Sequence, residues 1–343
     1  MSIQRHVVFR VDESSHVGLG HMSRCRALAD TLLKANARVS FYCRSVRPGT
    51  RAALASSGAS VVDLLSEETF LQQDWRESVV VVDGYQFDEV FWQGLLAARP
   101  QRTVCIDDFR EVRYLADIVV CYNEGLDAQQ FQLAPHTRLF LGGRYLLLRT
   151  DIHAAARLAG GRPCPRHVLM IATGGTRQEQ WVADMLALQA RLEPGLPIWV
   201  LSGRRLPAGK VLHDSGVHRS RVRFFSGLGA SAMMRRYRQA RCLLTPASTV
   251  MLEAFSAGCP MISGWVADNQ RNSLDWYSRR GLIVNAGDLR QVSGRALAVA
   301  YLRARRQSGQ MVRKQLAYIK ESKAGIDEIV KAILAGGVNR AET

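Results

Sequence analysis

Four consecutive valines, Val79 to Val82, constrain this chain more than any other stretch. A β-branched run without polar alternation is buried on both faces, and strands buried on both faces belong to parallel sheets covered by helices. The surrounding pattern agrees. Residues 6–11 read as an apolar strand, and residues 21–34 as a helix with Leu28, Leu32 and Leu33 on one face. Further strands are expected at 38–43, 60–64, 103–106 and 117–121, with helices near 50–57 and 87–98. This β-α alternation is that of a doubly wound sheet, whose ligands sit beyond the carboxyl ends of the strands.

Residues 151–165 interrupt the alternation. They are Ala-rich and end in Gly160-Gly161-Arg162-Pro163-Cys164-Pro165, which reads as a linker. The pattern restarts with strands at 167–172, 197–201, 222–225, 241–245 and 261–265. Helices are expected at 178–192, 230–239, 249–257 and 272–280, and the tail at 292–334 reads as two or three more. A chain of 343 residues suits two domains of ordinary size. The expected α/β architecture is therefore two Rossmann-like doubly wound domains with a cleft between them. An N-terminal domain spans 1–150 and carries the glycine loop that follows the first strand. A linker spans 151–165, and a C-terminal domain with a helical tail spans 166–343.

Composition narrows the function classes. An apolar share of 47% and a charged share of 22% are those of a globular protein. No stretch approaches the ~18 consecutive apolar residues of a membrane span. The start runs into a strand with no signal-peptide core, so a cytoplasmic protein is expected. Seven cysteines, an odd number without a Cys-x-x-Cys pair, imply buried thiols rather than a disulfide framework or a zinc site. No metal or other cofactor is expected. The net charge of +16 favours anionic partners such as nucleotides, nucleic acid or an anionic membrane face. The basic stretches at 219–241 and 303–323 carry no nucleic-acid-binding motif. Nucleic acid is therefore not expected, and a solvated basic face is the simpler reading. The sequence does not give an oligomeric state.

The first candidate site is Gly18-Leu19-Gly20-His21. It is not a complete dinucleotide fingerprint, because Ser23 stands where the third glycine belongs. Glycines admit a ligand close to the backbone, and a helix N-terminus offers free N–H groups to an anion. That positive end disfavours an imidazolium, so His21 is expected as a neutral general base, with Arg24 one turn on. The alternative is a capping or core histidine. A second site is Ser248-Thr249, at a strand-to-helix turn suited to a diphosphate, with Glu253 one turn on to accept from ribose hydroxyls. The alternative for Ser248 is an ordinary N-cap. A third is the loop holding Asn269 and Gln270, whose carboxamides can read sugar hydroxyls and acetamido groups. Tyr85, just past the valine strand, is placed to orient a substrate or a water. Gly174 and Gly175 open the second half and allow backbone to approach phosphate. Asp107-Asp108 falls short of a metal set and reads as a structural turn or a substrate contact.

In order and spacing these landmarks resemble a known family. They are Phe9-Arg10-Val11-Asp12, Gly18-Leu19-Gly20-His21, Arg24-Cys25, Val82-Asp83-Gly84-Tyr85, Ile106-Asp107-Asp108, Leu141-Gly142-Gly143-Arg144-Tyr145 with Leu148-Arg149, Gly174-Gly175, Ser248-Thr249 with Glu253, and Asp268-Asn269-Gln270. The chain is similar to the UDP-2,4-diacetamido-2,4,6-trideoxy-β-L-altropyranose hydrolases (PseG/SpsG family) of pseudaminic acid biosynthesis. These are relatives of the MurG-type glycosyltransferases with the two-domain GT-B fold. The resemblance implies inverting, metal-independent hydrolysis of a UDP-sugar at the anomeric C–O bond, with release of UDP and free sugar. It places the general base on His21 and further catalytic positions on Tyr85 and Asn269. It assigns the UDP grip to Ser248, Thr249 and Glu253, and helix N-termini with Arg24 would stabilise the leaving diphosphate. Two runs depart from the family pattern, Pro246-Ala247-Ser248-Thr249 and Ala172-Thr173-Gly174-Gly175-Thr176, and leave the sugar open. The alternatives are a GT-B glycosyltransferase with a UDP-sugar donor, or a non-catalytic nucleotide- or nucleic-acid-binding protein.

Overall fold

The computed structural model describes residues 4–13, 20–109, 111–159, 164–174 and 179–335. The chain forms two compact units, one of Met1–Thr150 with Glu321–Thr343 and one of Asp151–Lys320.

The first unit is built on β1 (His6–Val11), β2 (Arg38–Cys43), β3 (Ser60–Asp63), β4 (Ser78–Asp83) and β5 (Arg102–Ile106). It continues through β6 (Arg113–Tyr114), β7 (Ile118–Cys121), β8 (Gln132–Leu133) and β9 (Arg138–Leu141). Seven strands pair in the order β3-β2-β1-β4-β5-β7-β9, all parallel, while β6 and β8 pair separately. The valine run is the central strand β4, buried along its whole length. Its helices are α1 (Gly20–Lys34), α2 (Pro48–Ser57), α3 (Glu67–Leu71) and α4 (Glu89–Ala97). The Asp88 side chain caps α4 by accepting from the Phe91 N–H at 2.9 Å. Helix α1 buries Cys25, Leu28, Ala29 and Leu32 on its inner face. The strand order reverses between β1 and β4, and at such a switch point the loops part to leave a binding crevice.

The second unit repeats the plan. Its strands are β10 (Val168–Ala172), β11 (Ile198–Ser202), β12 (Val222–Ser226), β13 (Ala240–Pro246), β14 (Met261–Trp265) and β15 (Val284–Asp288). They pair in parallel in the order β12-β11-β10-β13-β14-β15, with the reversal between β10 and β13. The helices are α5 (Thr150–Ala159), α6 (Glu179–Leu192), α7 (Ala208–Ser215), α8 (Ala230–Gln239), α9 (Thr249–Phe255), α10 (Arg271–Arg279) and α11 (Gly294–Leu334).

Three expectations are corrected. The Ala-rich part of the expected linker is helix α5, which buries Ile152 and Ala155. The tail is not two or three helices but one helix of 41 residues, α11. The C-terminal domain does not take in the whole tail, because residues 321–335 pack in the first unit. There Arg102 donates to the carbonyls of Ala332, Ile333 and Ala335, capping the otherwise unpaired end of α11. Glu328 pairs with Arg144. Gly325 is needed because a Cβ there would collide with the Arg144 carbonyl.

Among the described residues no helix is long and apolar enough to cross a membrane, and no group of three or more His, Cys, Asp or Glu side chains is arranged to hold a metal. All seven cysteines are free thiols, and six are buried.

Candidate active site

The switch point of the first unit gathers six polar side chains, His21, Arg24, Asp83, Tyr85, Asp108 and Tyr122, from four segments. Register places Val11 beside Asp83, so the end of β1 and the end of β4 are level. Helix α1 begins beyond β1 and brings His21 and Arg24 over Asp83. The His21 ring is nearly enclosed, and its Nδ1 lies 2.5 Å from Asp83 Oδ1. Arg24 donates to the same carboxylate twice, from Nε to Oδ2 and from Nη2 to Oδ1, both at 2.6 Å. Its Nη1 donates to Asp108 Oδ1 and, at 3.4 Å, to the Tyr122 hydroxyl. The Cys25 thiol donates to Asp83 Oδ2 at 3.4 Å.

These contacts fix the charge of Asp83. Burial alone would push its carboxyl up, but the Arg24 guanidinium first, then the adjacent His21 ring, and the hydrogen bonds both make to it outweigh burial and hold it well below the usual carboxylate range. Arg24 is likewise penalised by burial, yet Asp108 and Asp83 raise it well above its ordinary value.

An ionised Asp83 also fixes the histidine tautomer. A carboxylate only accepts, so His21 Nδ1 carries the proton. Arg24 Nη2 is 3.0 Å from the same Nδ1, but a guanidinium only donates. The Nη2 proton therefore goes to Asp83, and the 3.0 Å approach is a contact between two donors. In the neutral ring His21 Nε2 keeps its lone pair.

Tyr85 stands edge-on to His21, ring centroids 4.7 Å apart, and is 47% exposed. Its hydroxyl donates to Asp108 Oδ2 at 2.5 Å. Burial, then the negative charge of Asp108, raises its pKa, so the phenol stays protonated. Asp108 thus joins Arg24 to Tyr85. Its neighbour Asp107 accepts from the Asp108 N–H at 2.7 Å and shapes the turn, as the turn reading expected.

Arg24 departs from its expected role. Its Nε, Nη1 and Nη2 are committed to Asp83, Asp108 and Tyr122, and the residue is 2% exposed. It faces inward and orients the carboxylates. It is not an outward hand for a leaving group.

In the second unit Gly174 and Ser248 meet at the other switch point. Gly174 has a left-handed φ of 69°, and a Cβ there would lie 3.4 Å from Val250 Cγ2 and 3.9 Å from Ser248 Oγ. Ser248 holds the N-cap position of α9, but its side chain makes no capping bond. Its Oγ is buried without a partner among the described residues, so the ordinary N-cap reading is not realised. Thr249 is the first residue of α9. Glu253, 8% exposed, lies on the same helix, where its charge adds to burial in raising the pKa of Tyr237. Asn269 is exposed on the short 3-10 turn Asp268–Gln270. Gln270 accepts from the Val266 N–H at 2.9 Å, so its amide oxygen is spent on its own loop.

The structure therefore brings His21, Arg24 and Tyr85 together in one unit, and Gly174, Ser248 and Thr249 in the other, which also holds Asn269. Gly20 opens α1, while Gly18 and Gly175 lie outside the described residues. The roles of Asp83, Asp108 and Tyr122 as partners were missed. The available signal was position, since each ends an apolar strand of a doubly wound sheet or follows one within two residues, where ligands gather.

No protein-family model and no curated protein matches this sequence. Solved structures do match its fold. Arabidopsis thaliana UGT89C1 complexed with UDP-L-rhamnose superposes with a TM-score of 0.67 at 12% identity, over 98% of this chain and 100% of that one. MurG of Acinetobacter baumannii gives 0.61 at 10% identity over 96% and 99%. A glycosyltransferase from Rickettsia africae gives 0.63 at 8% identity over 97% and 99%. At such identities the likeness shows the fold alone: two parallel-sheet α/β domains of the GT-B type.

Proposed function

We propose that the protein hydrolyses a UDP-linked 2,4-diacetamido-2,4,6-trideoxy sugar, releasing UDP and the free sugar, as a step of pseudaminic acid (nonulosonic acid) biosynthesis. The observation that carries this reading is the His21 Nδ1 to Asp83 Oδ1 contact of 2.5 Å. It leaves His21 Nε2 as a proton acceptor backed by a buried negative charge. A water oxygen attacks the anomeric carbon while His21 Nε2 takes its proton. The C1–O bond breaks with its electron pair leaving on UDP, and the sugar is released with inverted configuration. Asp83 then faces an imidazolium and stabilises it. Tyr85 borders the reacting centre as a protonated phenol.

In this reading Ser248 Oγ and the first N–H groups of α9 hold the diphosphate, with Gly174 and Gly175 beside them. Glu253 takes the ribose hydroxyls, and Asn269 and Gln270 address the sugar. Gly18 and Gly20 allow the substrate close to the backbone. No metal or cofactor is called for, because a diphosphate leaves with its charge already spread over its oxygens. The support is the order of the motifs together with a fold in which a similar structure, UGT89C1, binds UDP-L-rhamnose.

A second reading, glycosyl transfer from a UDP-sugar to an acceptor hydroxyl, is favoured by the solved structures of like fold being glycosyltransferases. Incubation with a panel of UDP-diacetamido sugars, without any acceptor, separates the two. The hydrolase releases UDP stoichiometrically with free sugar, and NMR of the first-formed anomer reports inversion. Release that appears only when an acceptor is added would establish transfer. No turnover of any UDP-sugar would leave a nucleotide-binding protein.

A further inference from the structure

Charge is divided unequally between the two units. Asp151–Lys320 holds 26 Lys and Arg against nine Asp and Glu, while the other unit holds 20 against 21. The whole surplus of the chain therefore sits on the second unit. Part of it lies on the solvent face of α11. Arg295, Arg303, Arg306 and Arg313 are exposed there, and none pairs with an acidic side chain among the described residues. Their neighbour Arg305, by contrast, is tied to Glu193 at 3.0 Å.

The same face carries two aliphatic side chains that nothing covers. Val299 is 62% exposed and Leu302 64%. Helical spacing sets positions 295, 299, 302, 303, 306 and 313 on one side of α11, so the aliphatic pair is flanked by guanidinium groups. A groove of about 400 Å³ runs beside the first turns, with Arg295 and Arg303 on its walls next to Val284 and Ala300.

We propose that this face of α11 docks the protein onto an anionic phospholipid surface. A helix lying in a membrane interface buries its apolar side chains at the acyl boundary and sets its basic residues among the lipid phosphates. Val299 and Leu302 supply the first element and the four arginines the second. No helix of the described residues crosses a bilayer, so the contact is peripheral. A nucleic acid would use the arginines but would leave the aliphatic pair in water, and this face offers no aromatic ring for base stacking.

Flotation of the full chain with vesicles tests the proposal. Binding is expected to vesicles of phosphatidylcholine with phosphatidylglycerol, not to phosphatidylcholine alone, and to weaken as salt rises. At the strength typical of basic residues near an anionic surface, Arg303→Ala with Arg306→Ala weakens partition about thirtyfold. The pair Val299→Ser and Leu302→Ser weakens vesicle binding but leaves retention on heparin unchanged, since heparin offers charge without an apolar phase. Thermal melting verifies that both double variants fold. The proposal is overturned if anionic vesicles bind no better than neutral ones, or if the serine pair leaves vesicle binding intact. Binding to a single-stranded RNA that outcompetes anionic vesicles would overturn it too, and assign the face to nucleic acid.

Discussion

His21 and Asp83 are 62 positions apart in the chain, yet the imidazole Nδ1 donates to the carboxylate across 2.5 Å. The contact exists because β1 and β4 are neighbours at the switch point of a parallel sheet and α1 starts where β1 ends. One carboxylate thereby decides which ring nitrogen is left to take a proton. Arg24 in turn keeps that carboxylate ionised.

Replacing the carboxylate by an amide removes the charge that sets the tautomer and stabilises an imidazolium. Asp83→Asn is expected to lower kcat for UDP release by about 10²–10⁴-fold, the usual worth of a positioned general base. UDP affinity, measured by calorimetry, should not change. Because the two groups act as a unit, Asp83→Asn combined with His21→Ala should be no slower than His21→Ala alone.

Removing Arg24 strands a buried negative charge. Arg24→Met is expected to destabilise the fold by about 3–5 kcal/mol, as breaking a buried ion pair from one side does. Urea denaturation followed by circular dichroism measures it. A loss of under about 1 kcal/mol, the level of an exposed pair, would contradict the inward placement of this side chain.

Ser248 separates binding from stability. Its hydroxyl oxygen is buried and makes no capping bond, so Ser248→Ala should leave the melting temperature of the unliganded protein unchanged or slightly higher. The same variant should weaken UDP binding by about tenfold, the worth of one hydrogen bond to a charged group. A fall in melting temperature with unchanged UDP affinity would return Ser248 to an N-cap role.

The stability of the first unit should depend on His6 below neutrality. The ring lies 2.9 Å from Ser40 Oγ and 3.1 Å from Ser78 Oγ. Burial, then the charge of Arg38, brings its pKa down from 6.5 to about 4. The unfolded chain therefore takes up a proton near pH 6.5 and the folded chain only near pH 4. The contribution is complete above 6.5 and is lost as the pH falls from there to about 4. Melting temperatures recorded between pH 8 and pH 4 should decline across that window, and His6→Gln should flatten the decline.

Much of this was legible in the chain because the signals were local. The valine run announced a doubly covered strand, and the leucine spacing after His21 announced the helix α1 that follows β1. What escaped was decided by partners far along the sequence. Arg24 read as a free cation beside a catalytic loop, because Asp108, the residue that turns it inward, is 84 positions away. The tail read as several helices, yet α11 runs unbroken through two glycines, Gly309 and Gly325. At Gly325 the close approach of the Arg144 carbonyl requires glycine, while Gly309 meets only a distant Arg313 side chain and costs the helix about 1 kcal/mol relative to alanine. Ser248 read equally well as a cap, and only the absence of a capping bond distinguished the two.

The central claim is that His21 is the base that activates water. The direct measurement is acceptor-free UDP release from the UDP-diacetamido sugar that the wild-type protein turns over, compared with His21→Ala, alongside UDP binding by calorimetry. The expected result is turnover lowered by about 10²–10⁴-fold with UDP affinity unchanged. Near wild-type turnover by His21→Ala would contradict the account.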